Sequence, residues 1–154
     1  MSLTIETTAT SNVLYVLNKG EFTLESAART FLEVVVTAEE HQCIKVLMDG
    51  RMVTGDPTIV ERFYYGEFAA ASVHASKKHP QSKLRPQFAY VLHEPVLDPL
   101  RLGETVAVNR GMQIKAFDNL ADAVDWLGLT PEELKDLIPE TSFKELVANE
   151  RRTA

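Results

Sequence analysis

The sequence predicts a single α/β domain built on a mostly parallel sheet of about five strands, opened by an N-terminal hairpin and flanked by helices. Two observations carry this. Short runs rich in β-branched and aromatic residues alternate with longer stretches whose apolar residues recur at helical spacing. Two of the short runs, Cys43–Met48 and Gln87–Leu92, are apolar almost throughout, the pattern of strands covered on both faces. The order β, β, α, β, α, β, α, β, α then implies parallel pairing with right-handed crossovers.

Leu3–Thr7 and Val13–Leu17 form the expected hairpin, joined by the turn-forming run Ala9-Thr10-Ser11-Asn12. Thr23 is placed to cap a helix with Leu24, Ala27, Ala28, Phe31, Leu32, Val35 and Ala38 on one face and Glu25, Arg29, Glu33 and Thr37 on the other. The helical phase outweighs the β-branched run Val34–Val36. Cys43–Met48 ends at Asp49-Gly50, and Arg51–Gly55 reads as a loop.

The next helix carries charge where its neighbours are apolar. Asp56 is placed to accept from its first amides, Pro57 suits the first helical position, and the pattern fades near Ser76–Lys78. At about 100° per residue, Ile59, Phe63, Gly66, Ala70 and Val73 share one sector, extended by Val60, Tyr64 and Ala71. Glu67 and His74 fall inside it, and a carboxylate on a core-facing stripe needs a partner. Arg110 and Arg62 are the candidates.

Gln87–Leu92 ends at His93-Glu94-Pro95, and Asp98-Pro99 repeats the start signal for a short helix over 99–109, stopped by Gly111. Ile114–Phe117 is the last strand. Asp118 or Asn119 caps a helix containing Leu120, Ala123, Val124 and Leu127, with Gly128 as its stop. Beyond Leu129, capping boxes at Thr130…Glu133 and Ser142…Glu145 open two short helices. The apolar side of this tail, including Leu134, Leu137, Ile138, Phe143 and Leu146, covers either the domain or a second subunit. The expected division is an α/β domain over 1–128 and a helical extension over 129–154.

Composition excludes several classes. With 154 residues, 45% of them hydrophobic and 25% charged, the chain can bury a core of ordinary size. A formal net charge of −6 argues against nucleic acid as a partner and against a broadly basic membrane surface. The start lacks a signal peptide, and no stretch approaches the roughly 18 apolar residues of a membrane span, so a cytoplasmic location is expected. The single cysteine, Cys43, reads as a small buried hydrophobe.

No catalytic signature stands out. There is no Gly-rich phosphate loop after a strand and no nucleophile-elbow motif, and His41, His74, His79 and His93 lack metal-ligand spacing. No metal and no cofactor is expected. The candidate ligand-binding residues are Tyr64, Tyr65 and Phe68, as an aromatic wall, with Glu67 and Arg110 as a charge pair. Glu67 reads either as a structural carboxylate or as a general base, its pKa raised by burial or lowered by an adjacent arginine. Gly66 implies either close backbone contact or room for a ligand. The open-sheet rule selects Asp49–Thr54 and His93–Val96 as rim loops.

In element order, and in the stretches ERFYYGEF at 61–68, ETVAVNRG at 104–111 and FDNLADAVDWLG at 117–128, the chain resembles the SpoIIAA-like branch of the STAS superfamily. The resemblance spans residues 1–128. It implies a small α/β domain that binds protein partners or small nonpolar molecules without catalysis, in a superfamily whose regulators carry a phosphorylatable hydroxyl near a helix start. Here the strand is followed by Gly50-Arg51-Met52-Val53-Thr54 and not by an Asp-Ser-Ser or Asp-Ser-Thr run, so Thr54 and Thr58 are the nearest hydroxyls.

The leading expectation is a binding or regulatory module. Its pocket lies between the 54–71 helix and the sheet or the 99–109 segment, taking a nonpolar molecule or a protein partner. Two alternatives stand beside it, a small acid–base enzyme using Glu67, Arg110 and His74, and a homodimer assembled through the tail. The second predicts that a chain lacking residues 130–154 stays folded.

Overall fold

The computed structural model describes residues 2–10, 12–75, 86–98 and 101–153. Five strands, β1 (Thr4–Ala9), β2 (Val13–Glu21), β3 (Lys45–Thr54), β4 (Gln87–Leu92) and β5 (Gln113–Phe117), form one sheet in sequential order. The β1–β2 pair is antiparallel and every other pair parallel. Helices α1 (Leu24–Glu40), α2 (Ile59–Ala75) and α3 (Leu102–Asn109) make the crossovers, and α4 (Leu120–Trp126), α5 (Pro131–Leu134) and α6 (Glu140–Thr153) follow β5. The expected α/β class, hairpin and strand count are all present.

Because the strand order never reverses, right-handed crossovers put α1, α2 and α3 on one face of the sheet. The two cores follow that division. Leu14, Val16, Val46, Met48, Phe88 and Tyr90 point to the crossover helices, meeting Phe31, Val34, Ala69 and Ala107. Val13, Tyr15, Leu47, Ala89 and Val91 point the other way, onto Leu120, Val124, Leu127, Leu134, Leu137, Ile138 and Leu146. The tail's apolar side is therefore consumed within its own chain.

Several boundaries differ from the sequence reading. The strand expected at Cys43–Met48 begins at Lys45 and continues to Thr54, so Arg51–Thr54 is strand and not loop. An irregularity explains it. Three steps of β3, Asp49 to Met52, oppose two steps of β2, Leu17 to Lys19. The extra residue shifts the alternation, and Val53 turns to the crossover-helix side while Asp49 stays on the other. In α1, Val34 is buried and Leu32 exposed, a small rotation from the expected face.

The start of α2 is a capping box two residues later than Asp56-Pro57 suggests. Glu61 N donates to Thr58 Oγ1 at 3.1 Å, and Thr58 N donates to Glu61 Oε1 at 2.9 Å. The expected fading near 76–78 and the Pro99 start lie outside the described residues. Asp98 does serve α3, accepting from Leu102 N at 2.9 Å. In the tail, Thr130 and Glu133 form their capping box, but Ser142 lies inside α6 and does not cap it.

The face of α2 turned inward is not the one its large apolar residues mark. Gly66, Ala69, Ala70 and Ser72 are buried, while Ile59, Val60, Phe63, Tyr64 and Phe68 are exposed. Small residues win the inner side because α3 crosses at backbone distance. A Cβ on Gly66 would lie 2.6 Å from the Gly103 carbonyl oxygen and 3.1 Å from Val106 Cβ. Gly66→Ala is therefore expected to destabilise the chain by about 1–3 kcal/mol through overpacking, outweighing a helix-propensity gain of about 1 kcal/mol. Urea unfolding checks it, and an unchanged or raised midpoint would refute the close crossing.

At the far side of α3, Arg101 and Glu104 reach the outer edge of β5. An Arg101 Nη1 hydrogen bond goes to the Ala116 carbonyl, and Ala116 N donates to Glu104 Oε2 at 3.1 Å.

Candidate functional site

Behind α2 a cavity of about 120 Å³ lies between that helix, α3 and the carboxyl-terminal halves of the parallel strands. Its walls are largely apolar, with Phe22, Met48, Tyr65, Tyr90, Val96 and Leu97 among them. This is where the sequence places a pocket, and the expected rim segments contribute Gly50, Val53 and Val96. The irregularity in β3 makes that possible by turning Val53 to this side. Asn18, also in the lining, donates to the Asp49 carbonyl at 3.4 Å beside the irregular step.

Tyr65 is the only member of the expected aromatic wall that lines the cavity. It sits edge-on to Phe22, Phe31 and Tyr90, with ring centroids 6.0, 6.1 and 6.5 Å away. The Tyr65 and Tyr90 hydroxyls are 2.6 Å apart. Burial pushes Tyr65 up to about 12, and burial together with the adjacent Tyr65 pushes Tyr90 well above the usual phenol value. Tyr64 and Phe68 lie instead on the outer side of α2, with Tyr64 edge-on to Phe63 at 5.7 Å.

Arg62 joins α2 to the segment after β4. Its guanidinium donates to the carbonyls of Pro57, Val96 and Pro95 at 3.0, 2.8 and 2.7 Å, and only 13% of the side chain is exposed. Its ion partner is Asp56 at 3.6 Å, so Arg62 is not the partner of Glu67.

Glu67 does have a specific cationic partner in Arg110, 2.7 Å away. The burial expected for this pair is absent. The two side chains are 35% and 53% exposed, because the helix presents this sector to solvent. His74 Nε2 lies 2.7 Å from the Arg110 carbonyl oxygen, and none of the three residues lines the cavity. A double-mutant cycle with Glu67→Gln and Arg110→Gln is expected to give a coupling below about 1 kcal/mol, as for exposed pairs generally. A coupling several times larger would show that the pair is shielded from solvent.

The buried carboxylate is Asp49, 2% exposed, on the opposite face of the sheet. Tyr15 Oη donates to its Oδ2 at 2.6 Å, and Arg51 Nε and Nη2 donate to its two oxygens at 3.0 and 2.9 Å. The same guanidinium donates to Ser142 Oγ at 3.0 Å and Glu145 Oε2 at 3.1 Å. Ser142 and Glu145, three apart on α6, thus face one arginine, and that use takes the place of the expected capping box. Burial works to raise the Asp49 carboxyl, but the hydrogen bonds from Arg51 and Tyr15 outweigh it and hold it below the ordinary carboxylate value. Sequence reading places Asp49 at a strand end and at the start of a rim loop, and assigns it no partner. The signal was the Asp49-Gly50-Arg51 spacing inside an apolar run, which allows a charge pair across one strand residue.

Thr54 ends β3 and Thr58 caps α2, so both candidate hydroxyls have backbone roles. Cys43 is buried in the core beside the start of β3, and burial raises its thiol. Among the described residues no three His, Cys, Asp or Glu side chains cluster to hold a metal ion, and His79 lies outside them. No helix among the described residues is long and apolar enough to cross a membrane.

A sequential sheet with an antiparallel first strand, three crossover helices on one face and the closing helix on the other is a STAS-like fold. The resemblance drawn from the sequence therefore holds at the level of fold. Among solved structures the chain is similar to an anti-sigma factor antagonist from Mycobacterium paratuberculosis, with a TM-score of 0.53 and 14% identity, over 82% of this chain and 94% of that one. By sequence, the chain matches no protein-family model and no curated protein.

Proposed function

We propose that this chain is a non-catalytic regulatory module of the STAS type that binds a protein partner through the outer side of α2. The carrying observation is the ridge formed by Ile59, Val60, Phe63, Tyr64 and Phe68, of which Ile59 is 74% and Val60 61% exposed. Single exposed apolar side chains need no explanation, but five at helical spacing within the first ten residues of one helix mark an interaction surface. The fold neighbour's description as an antagonist of an anti-sigma factor supports a protein as the occupant. The cavity on the inner side of the same helix supports a second reading, the binding of a small nonpolar molecule.

The alternatives have less behind them. Glu67, Arg110 and His74 meet on the outer surface and away from the cavity, which gives an acid–base reading no enclosed place for a substrate. Assembly through the tail lacks a free apolar side, since Leu134, Leu137, Ile138 and Leu146 are buried in the chain itself.

A photo-crosslinking amino acid at Tyr64, compared with one at Glu33 on α1, tests the ridge in cells of the native host. The expected result is one discrete adduct from position 64 that disappears when Ile59→Glu and Phe63→Glu are added. Identical adducts from both positions, or none from position 64, would refute the partner surface.

A further inference from the structure

The two phenols of the cavity do not balance each other's hydrogen bonds. At 2.6 Å one hydroxyl donates to the other, whichever way round, and one O–H hydrogen is left over. Among the described residues neither Tyr65 nor Tyr90 has another hydrogen-bond partner. Both side chains line the cavity. A donor left unmade away from bulk water is costly, so the surplus hydrogen has a use for an acceptor brought into the cavity.

The rest of the wall sets the remaining chemistry. Phe22, Met48, Val96 and Leu97 offer apolar contact only, apart from their backbone. The charged groups in the lining are already engaged, Arg62 with three carbonyls, Arg101 and Glu104 with the Ala116 backbone and Asp98 with Leu102 N, and Asn18 and Thr30 give their donors to backbone carbonyls. A cavity of this volume is comparable with engineered cavities, near 150 Å³, that take benzene.

We infer that the cavity is a site for a small, mostly apolar molecule of about aromatic-ring size bearing one hydrogen-bond acceptor oxygen, which the Tyr65–Tyr90 pair recognises. This deepens the small-molecule reading of the cavity and rests on it. A ketone or ester fits, because its oxygen accepts the surplus hydrogen and the rest of the molecule matches a largely apolar wall. Both phenols stay protonated at neutral pH, since their burial opposes ionisation, so the donor is available under physiological conditions.

Acetophenone and α-methylstyrene, which have the same shape but exchange a carbonyl oxygen for a methylene, are the probes. They are titrated into the full chain and followed by amide NMR at Ala69, Val96 and Leu97. Both are expected to shift those amides, with the ketone binding roughly tenfold more tightly, as one hydrogen bond to an otherwise unpaired donor gives. In Tyr65→Phe/Tyr90→Phe the ratio falls to about one while α-methylstyrene binds as before. That variant is expected to fold, because removing both hydroxyls together leaves no orphaned group.

Independently of any variant, the infrared carbonyl band of bound acetophenone moves to lower frequency than in an apolar solvent. Equal affinities in the wild type, a ratio that survives in the double variant, or an unshifted band would overturn the inference while leaving the cavity a nonpolar site. If neither probe perturbs the cavity amides, the small-molecule reading fails with it, and the partner surface on the outer side of α2 is untouched.

Discussion

A chain lacking residues 130–154 is expected to lose its fold and not to survive as a free domain. The missing segment carries Leu134, Leu137, Ile138 and Leu146, each no more than 6% exposed. Truncating one such side chain to alanine costs about 2–5 kcal/mol, and four together exceed or match a total stability of about 5–15 kcal/mol. The deletion also strips part of the cover from Val13, Tyr15, Leu47, Ala89 and Val91 on the second face of the sheet, leaving α4 alone against it. Near-ultraviolet circular dichroism and amide NMR check it. Native dispersion with a cooperative unfolding transition in the shortened chain would show that α4 alone covers the second face well enough.

Arg51→Ala is expected to cost about 3–5 kcal/mol, because it leaves a buried carboxylate without its cation. Glu145→Ala should cost less than about 1 kcal/mol, since that partner is 59% exposed. The pH dependence separates the two. In the intact chain the Asp49 carboxyl is held below its ordinary value, so its stabilising contribution is full above the unfolded-state value near 4 and is lost as pH falls through the folded-state value. Without Arg51, burial prevails and the carboxyl moves up. Its penalty is then absent at low pH and grows as pH rises above the unfolded-state value. The stability gap between wild type and Arg51→Ala should therefore narrow on going from pH 7 to about pH 4. Urea midpoints measured at both values decide it, and a constant gap would exclude Asp49 as the cause.

Element order was legible because it is written in periodicity, and periodicity survives without knowledge of the partner surface. β4 was read residue for residue, and Thr23, Asn119, Gly111 and Gly128 end or begin helices where the sequence places them. The orientation of α2 was not legible in the same way. Its large apolar residues dominate any count of hydrophobicity, but the inner side holds Gly66, which meets α3 at backbone distance, with Ala69, Ala70 and Ser72. A run of small residues at helical spacing was the better guide. The charge pair was likewise recognised in kind and misjudged in place. Glu67 and Arg110 meet at the surface, whereas the carboxylate that needs its partner is Asp49, inside an apolar strand. The irregular step in β3 is a separate miss, because it carries the strand past Asp49-Gly50 and turns Val53 to the cavity, which no fixed two-residue alternation foretells.

The side chains at the outer edge of β5 have a consequence for association. Arg101 and Glu104 occupy the outward carbonyl and amide of Ala116, the groups through which a further strand would be added there. β1 ends the sheet on the other side, with Glu6 among its exposed residues. Strand addition is thus opposed at Ala116 by a pair of side chains that imitate a neighbouring strand, which guards the β5 margin of the sheet.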